Sequence, residues 1–210
     1  MAKKKFYVVW EGRKIGIFET WDECKESIHG FNGAKYKSFQ SLELAKQAYS
    51  EEYDNYKGKT FFESELSEEE LKLIGAPILK SISVDAACSG NPGLMEYQGV
   101  ETETKRVIFK QGPFKDASNN MGEFLALVHA LAHMKKNNDT RSIYSDSKIA
   151  ISWIRDKTSR SNIQETENNK EVFELMERAE KWLISNEFTN KILKWETKAW
   201  GEIPADFGRK

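Results

Sequence analysis

The chain has 210 residues, enough for one domain with a substantial core and a second, smaller domain. Its 32 Lys and Arg nearly balance its 33 Asp and Glu, so the net charge of −1 does not by itself indicate a nucleic-acid partner. Two cysteines, Cys24 and Cys88, exclude the disulfide-rich secreted and the thiolate zinc classes. The apolar run near the N-terminus is too short for a signal peptide, and no apolar span is long enough for a membrane helix. We therefore expect a soluble cytoplasmic protein without a membrane partner.

Residues 1–50 predict a small ββαβα domain. Two apolar runs separated by a turn predict a β-hairpin. Thr20 and Glu23 have the spacing of a capping box ahead of an amphipathic helix, and a short strand and a helix capped by Ser41 follow. Nine Lys/Arg against six Asp/Glu give this domain a local charge of +3. Its core is thin, and an aromatic side chain such as Trp21 in so small a domain is ordinarily a packing residue.

Residues 51–76 predict an acidic linker that contains one short helix. Ser67 and Glu70 have capping-box spacing, and Gly75 ends the helical pattern. Three Lys/Arg against eight Asp/Glu give residues 51–72 a charge of −5. An acidic segment thus separates the small domain from the rest of the chain.

Residues 77–210 predict an α/β domain. Three strand-like runs joined by short turns come first, which favours antiparallel pairing, and strands then alternate with helices. This order is typical of a mixed sheet covered by helices on both faces, in which ligands collect at the carboxyl ends of strands. The first helix is apolar almost all round and should be largely buried. We predict strands over 78–86, 94–100, 104–109, 142–144 and 191–195, and helices over 119–134, 147–156 and about 167–186.

Four carboxylates of this domain, Asp85, Glu123, Asp146 and Asp206, stand where a strand or helix begins or ends. Brought together they would repel each other unless cations joined them, so the pattern indicates a metal site. Each acid also has a structural explanation. Asp85 can begin a turn, Asp146 can cap the next helix, Glu123 lies at capping-box spacing from Asn120, and Asp206 can be a solvated surface acid. Spacing alone leaves both interpretations open.

The stretches "SISVDAACSGNPG", "NNMGEFLAL", "YSDSKIA" and "PADFGRK" resemble, in this order, the type 1 ribonuclease H family over roughly residues 78–210. The resemblance implies a ribonuclease H-like mixed five-stranded sheet in which the first and fourth strands are adjacent. It implies that Asp85, Glu123, Asp146 and Asp206 hold two Mg²⁺ ions, for which Mn²⁺ can substitute. The implied activity is hydrolysis of the RNA strand of RNA/DNA hybrids by a two-metal-ion mechanism, leaving 3′-hydroxyl and 5′-phosphate ends.

The resemblance also implies substrate contacts in the catalytic domain. Asn91, Asn119, Asn120 and Glu123 match family positions that recognise the RNA strand through its 2′-hydroxyl groups. Ser118 stands where the family often has a threonine on a phosphate of the DNA strand. Helix capping and turn formation are the structural alternatives for the asparagines.

The C-terminal part departs from the family pattern at two places. Many relatives have a histidine in the loop before the fourth acid, yet residues 196–205 contain none. Glu202 or Lys198 is the candidate replacement in proton transfer. The sequence stops at Lys210, where relatives continue into a longer helix, so Asp206 is expected on a short tail.

The stretches "FYVVWEGRKIGIF", "TWDECK" and "KYKSF" resemble the N-terminal hybrid-binding (viroplasmin-like) domain of many ribonucleases H. The resemblance implies that Tyr7 and Lys37 contact the RNA strand and that Trp21 and Tyr36 contact the DNA strand. Ser38 stands where the family often has a second lysine, which removes one phosphate contact. Duplex RNA is a further expected partner of this domain.

Three functions are consistent with these patterns. We favour a monomeric endonuclease that cleaves the RNA strand of RNA/DNA hybrids and holds the hybrid with its N-terminal domain. The alternative is a non-enzymatic hybrid-binding protein with a weakened nuclease domain, which should have lost one or more of the four acids. A nuclease or integrase of the same broad fold that acts on DNA is disfavoured by "DAACSGNPG" and by the N-terminal domain.

Overall fold

The computed structural model describes residues 5–58, 64 and 66–208. The chain forms two compact units, Met1–Glu63 and Ser64–Lys210. Within the described residues, no helix has both the length and the apolar character needed to cross a membrane.

The first unit is a three-stranded antiparallel sheet with a helix on each face. Its strand order is β2-β1-β3, and the predicted ββαβα order is confirmed. Helix α1 begins with the predicted capping box, in which the Thr20 hydroxyl accepts from the Glu23 N–H at 3.3 Å. The elements are β1 (Phe6–Glu11), β2 (Gly16–Phe18), α1 (Trp21–Ile28), β3 (Lys35–Phe39) and α2 (Leu42–Ser50), followed by a 3₁₀ turn (Tyr53–Asn55).

The two faces of this sheet have separate packing partners. Val8 and Phe39 are buried against α2, and Tyr56 joins the same cluster. Successive residues of a strand point to opposite faces, so Val9 faces α1, where Cys24 is also fully buried. Tyr56 lies within the segment predicted as a linker, and the predicted domain boundaries at residues 50 and 77 stay predictions.

The second unit contains a mixed five-stranded sheet of order β6-β5-β4-β7-β8. The first three strands pair antiparallel, whereas β4–β7 and β7–β8 pair parallel, with Ile82 opposite Ile143. The predicted adjacency of the first and fourth strands is thereby confirmed. The strands are β4 (Ile82–Cys88), β5 (Gly93–Glu101), β6 (Val107–Ala117), β7 (Ile143–Ser145) and β8 (Ile192–Lys194).

Elements on both faces cover the five-stranded sheet. Helix α4 packs on β4 and β5, and its Phe124 and Leu127 are fully buried, as the apolar sequence predicts. On the opposite face, Tyr144 packs with Trp195 and Ile203. The helices are α3 (Glu68–Ile74), α4 (Asn119–Lys136), α5 (Lys148–Asp156), α6 (Lys170–Ser185) and α7 (Thr197–Trp200).

Strand β6 is longer than the sequence pattern predicts. A glycine and a proline, Gly112 and Pro113, are turn formers, and the prediction ends the strand at Phe109. In the structure the strand continues to Ala117 through irregular pairing with β5, and Gly112 has a φ of 101°. Bulges accommodate glycine and proline within a strand. The extension brings the chain to the first residue of α4, next to the predicted site.

Candidate metal centre

Three of the four predicted acids converge at one edge of the sheet. Asp85 lies on β4, Asp146 directly follows β7, and Glu123 lies near the start of α4. One carboxylate oxygen from each lies within 4.8 Å of those of the other two. The parallel pairing of β4 with β7 produces this arrangement, because it brings corresponding ends of the two strands together.

The cap of α5 shows that Asp146 is not needed for helix initiation. The Ser147 hydroxyl accepts a hydrogen bond of 3.1 Å from the Ala150 N–H, so Ser147 is the N-cap. The Ser147 N–H in turn donates to the Ser145 hydroxyl at 3.1 Å. The capping interpretation of Asp146 is therefore wrong, and its carboxylate is available at the sheet edge.

Helix α4 is likewise capped one turn away from its acid. Its N-cap is Ser118, whose hydroxyl accepts from the Met121 N–H at 3.4 Å. Asn120 is thus inside the helix, and the capping box between Asn120 and Glu123, which was the structural alternative for this acid, does not form. Glu123 points its carboxylate to the sheet instead.

Besides its hydrogen bond with Asp85, the Glu123 carboxylate accepts three long hydrogen bonds. Its Oε1 accepts from the Ala86 N–H at 3.3 Å and from Asn119 Nδ2 at 3.4 Å. Its Oε2 accepts from the Ser145 hydroxyl at 3.5 Å. Only 2% of Glu123 is exposed, so its carboxylate has lost most of its hydrogen bonds to water. The long hydrogen bonds to the protein replace them only weakly.

Burial makes this cluster unfavourable for three negative charges. Burial raises the pKa of Asp85 to about 7, an effect that Asp146 adds to and a hydrogen bond with Glu123 opposes. Burial and the nearby Asp85 raise the pKa of Glu123 well above its ordinary value. Burial also raises the pKa of Asp146, against the opposing charge of Lys194. Clustered hard oxygen donors of this kind fit a divalent cation such as Mg²⁺ or Mn²⁺, which would favour their ionised forms.

The fourth acid lies at the rim of the cluster. Asp206 is exposed and is not part of the group within 4.8 Å, but it lines a cavity of about 400 Å³ with Asp85 and Asn119. Its negative charge contributes to the raised pKa of both Asp85 and Asp146. Glu202 is also exposed, and its charge contributes to the raised pKa of Asp146. Both rim acids are therefore within electrostatic reach of the cluster.

The predicted substrate residues of this unit differ in exposure and in their place relative to the cavity. Asn119 is exposed and lines the cavity, whereas Asn120 is half-buried. Asn91 is exposed in the turn between β4 and β5. Ser118 is 8% exposed, and its oxygen caps α4 while its proton stays available for donation. The structure thus places Asn119 beside the acids.

Three predicted aromatic contacts of the first unit form a cluster in which Tyr7 is half-buried and Trp21 and Tyr36 are exposed. The ring centroids of Tyr7 and Trp21 are 5.5 Å apart, and those of Trp21 and Tyr36 are 6.0 Å apart. Trp21 is 43% exposed and Tyr36 41% exposed, so neither is a buried core side chain as the structural alternative required. The cluster lies on the α1 face of the sheet.

Lys37 is not brought together with these rings. Ser38 pairs with Tyr7 and Lys37 pairs with Val8 across the β1–β3 ladder. Paired residues share a face, so Lys37 leaves the sheet on the α2 side, whereas Ser38 shares the face of the aromatic cluster. Lys37 is half-buried on β3, an edge strand, from which a long side chain can extend past the edge.

Two residues near the acids were missed by sequence reasoning. Lys194 ends β8 and pairs with Ser145, and its charge opposes the rise in the pKa of Asp146. Gln98 pairs with Asp85 across the β4–β5 ladder. The available signal for Lys194 was its position near the end of the last predicted strand, since ligands of such sheets collect at the carboxyl ends of strands. No local pattern indicates Gln98.

Comparison with known proteins identifies both parts of the chain. A family model described as "Ribonuclease H1 N-terminal domain" matches residues 5–49, and one described as "RNase H" matches residues 80–197. A ribonuclease H from Crithidia fasciculata is 54% identical over 44 residues, which are 21% of this chain and 9% of that protein. A ribonuclease H from Francisella tularensis subsp. novicida is 30% identical over 132 residues, covering 59% of this chain and 77% of that protein.

Among solved structures, ribonuclease H1 from the archaeon Halobacterium salinarum NRC-1 matches with a TM-score of 0.36 and 20% identity, over 56% of this chain and 87% of that one. The RNase H family model spans more than half of the 210 residues and includes Asp85, Glu123 and Asp146. The chain therefore belongs to the ribonuclease H family.

Proposed function

We propose that this chain is an endonuclease that hydrolyses the RNA strand of RNA/DNA hybrids. The convergence of Asp85, Glu123 and Asp146 within 4.8 Å is the observation that carries this proposal. The family membership supports it. The alternative is a weakened nuclease domain. It is less consistent with three acids whose oxygens lie close enough to bind one metal ion, and with a fourth acid, Asp206, that lines a cavity with Asp85.

Two divalent metal ions, Mg²⁺ or in its place Mn²⁺, would be held by Asp85, Glu123, Asp146 and Asp206. When bound, such ions activate a water for attack on the scissile phosphate and stabilise the leaving ribose oxygen, so that 3′-hydroxyl and 5′-phosphate ends result. The protein orients its ligands through the hydrogen bonds that Glu123 accepts. Burial of Asp85 and Glu123 excludes water and strengthens their interaction with any cation.

Recognition of the RNA strand would occur at the start of α4. Asn119 is exposed there and lies next to Glu123, so its amide can bond a ribose 2′-hydroxyl beside the acids. Asn91, Asn120 and Ser118 would contribute the remaining contacts to the hybrid backbone. Glu202 at the rim would accept or donate the proton that the family often transfers through a histidine.

The first unit would hold the duplex. The exposed rings of Trp21 and Tyr36, together with the half-buried ring of Tyr7, provide a stacking surface. Lys37 at the edge strand provides a cation for phosphate. The match to the ribonuclease H1 N-terminal domain supports this role. We further propose that this unit accepts duplex RNA and that the protein acts as a monomer.

A substrate panel tests the proposed activity. Labelled RNA/DNA hybrid, duplex RNA and duplex DNA are incubated separately with Mg²⁺, Mn²⁺ or a chelator. We expect cleavage of the RNA strand of the hybrid with either metal ion and no cleavage with the chelator. Equal cutting of duplex DNA would contradict the proposal, and hybrid binding without any cleavage would support the non-enzymatic alternative.

A further inference from the structure

A glutamine on β5 connects the acid cluster with the segment that carries Asp206. Gln98 pairs with Asp85, so its side chain leaves the sheet on the same face as that of Asp85. Its Nε2 donates a hydrogen bond of 2.6 Å to the backbone oxygen of Ala205. Ala205 is fully buried, and Asp206 follows it directly. The Gln98 side chain thus links strand β5, at the position opposite Asp85, to Ala205, the residue before Asp206.

The neighbouring strand β6 contacts the same segment. Lys110 pairs with Gln98 across the β5–β6 ladder, and its ammonium group lies 5.2 Å from the centroid of the Phe207 ring. This distance is within the range of a cation–π interaction. A salt bridge of 3.3 Å to Glu96 fixes the same ammonium group. Two adjacent strand positions therefore contact the residues on either side of Asp206.

The other hydrogen bonds around Asp206 close local turns. The Asp206 N–H donates to the Ile203 backbone oxygen at 2.8 Å, and the Gly208 N–H donates to Asp206 Oδ2 at 2.8 Å. Ile203 is packed in the aromatic cluster on the sheet. The bond from Gln98 extends this attachment from Ile203 to Ala205, immediately before the acid.

We propose that Gln98 is a positioning residue that sets where the Asp206 carboxylate lies relative to Asp85. The inference rests on the proposed function, in which Asp206 is the fourth metal ligand. Because Asp206 is exposed while Ala205 is buried, the place of its carboxylate depends on how its backbone is attached. Loss of the amide donor would release Ala205 from β5, and the carboxylate would spend less time at the cavity that it shares with Asp85.

Hydrogen exchange of the metal-free full chain tests the attachment without any reaction. Gln98→Met keeps the length of the side chain and removes the donor. Gln111→Met, which changes an exposed residue of β6, is the matched control. We expect amides 206–208 to exchange roughly 5- to 10-fold faster in Gln98→Met, the factor expected for one ordinary hydrogen bond. Amides of α4 should exchange as in wild type, and Gln111→Met should resemble wild type throughout.

The metal dependence of hybrid cleavage tests whether the attachment by Gln98 affects metal binding by Asp206. We expect Gln98→Met to require several-fold more Mg²⁺ for half-maximal cleavage. Combined with Asp206→Asn, it should have no further effect, because Gln98 acts only through Asp206. Unchanged exchange at 206–208, or effects of the two substitutions that add, would overturn the inference while leaving the proposed function intact. If the wild type cleaves no hybrid, the proposed function fails and the exchange measurement alone decides the role of Gln98.

Discussion

Glu123 on α4 accepts a hydrogen bond of 3.3 Å from the N–H of Ala86, the residue that follows Asp85 on β4. The helix carboxylate is thereby held beside the strand carboxylate, although 37 positions separate Glu123 from Ala86 along the chain. The charge of Asp85 raises the pKa of Glu123, whereas the hydrogen bond with Glu123 lowers the pKa of Asp85, so the pair favours a single negative charge. The cluster therefore destabilises the metal-free fold, and it also places oxygen ligands where a cation can bind them.

Asp146→Asn should reduce hybrid cleavage to background. The substitution removes one negative charge from the proposed ligand set and changes little volume, so folding and hybrid binding should remain close to wild type. Glu103→Gln is a matched control, because Glu103 is exposed in the turn after the Glu101 end of β5. Cleavage rates and a binding isotherm on the same protein preparations separate catalysis from binding. A wild-type rate in Asp146→Asn would remove this residue from the site.

The metal-free protein should lose stability as the pH rises from about 4 to about 7. Folding raises the pKa of Asp85 to about 7, above its ordinary value of roughly 3.9, so the folded state binds this proton more tightly than the unfolded state. The resulting stabilisation is complete below about pH 4 and is lost as the pH rises to about 7. The loss should be on the order of 1 to 4 kcal/mol, since one pKa unit corresponds to about 1.4 kcal/mol. Urea unfolding in chelator at several pH values measures it.

Asp85→Asn is the matched test of that pH dependence. The amide cannot ionise, so the variant should show a flatter stability profile and greater stability than wild type near pH 8 in chelator. Added Mg²⁺ should stabilise the wild type and have little effect on the variant. Parallel pH profiles for the two proteins would show that Asp85 does not titrate as its burial requires.

Glu202→Gln should lower kcat by about 10²-fold, which is within the usual range for general acid–base catalysis. Its negative charge contributes to the raised pKa of Asp146, which places Glu202 within electrostatic reach of the acids. Lys198→Met tests the other candidate, which lies on the short helix α7. A loss of less than about twofold in Glu202→Gln would assign proton transfer to solvent.

Trp21→Ala should weaken hybrid binding by roughly 1 to 3 kcal/mol with little change in its salt dependence, because stacking does not release counterions. Trp21 is 43% exposed, so the fold should survive the substitution. Binding isotherms at two salt concentrations, with circular dichroism as the folding control, measure both quantities. A variant that is unfolded or binds as wild type would argue against the stacking surface.

Lys37→Ala should lower the slope of log K against log salt by about one, as expected when one phosphate contact is lost. Ser38→Lys is the reciprocal test, since Ser38 shares the face of Tyr7. A new cation there should raise the slope by about one and tighten binding equally across hybrid sequences. If only Ser38→Lys changes the slope, the phosphate backbone follows the aromatic face and does not reach Lys37.

Sequence patterns that span a few residues predict most of the helices and strands. They also mark the three acids that converge in the structure. The capping box at Thr20 and the buried character of α4 follow from local spacing. Strand order then brings Asp85 and Asp146 together. Spacing left a capping box between Asn120 and Glu123 open as an alternative, because Ser118 and Asn120 are both good caps and only tertiary packing selects Ser118.

Contacts between distant parts of the chain could not be predicted in this way. The bond from Gln98 to Ala205 joins residues 107 positions apart, and neither residue type indicates it. Strand β6 passes through Gly112 and Pro113 because pairing with β5 outweighs their turn preference. The face of Lys37 depends on the register of β3 against β1, which a one-residue shift would reverse.

The most direct test of the central claim is product analysis of a hybrid labelled separately on its RNA and DNA strands, cut by the full chain with Mg²⁺. The account predicts that only the RNA strand is cut, that its products carry 3′-hydroxyl and 5′-phosphate ends, and that Asp146→Asn yields none of them. Cleavage of the DNA strand, or an intact RNA strand in a hybrid that the protein binds, would contradict it.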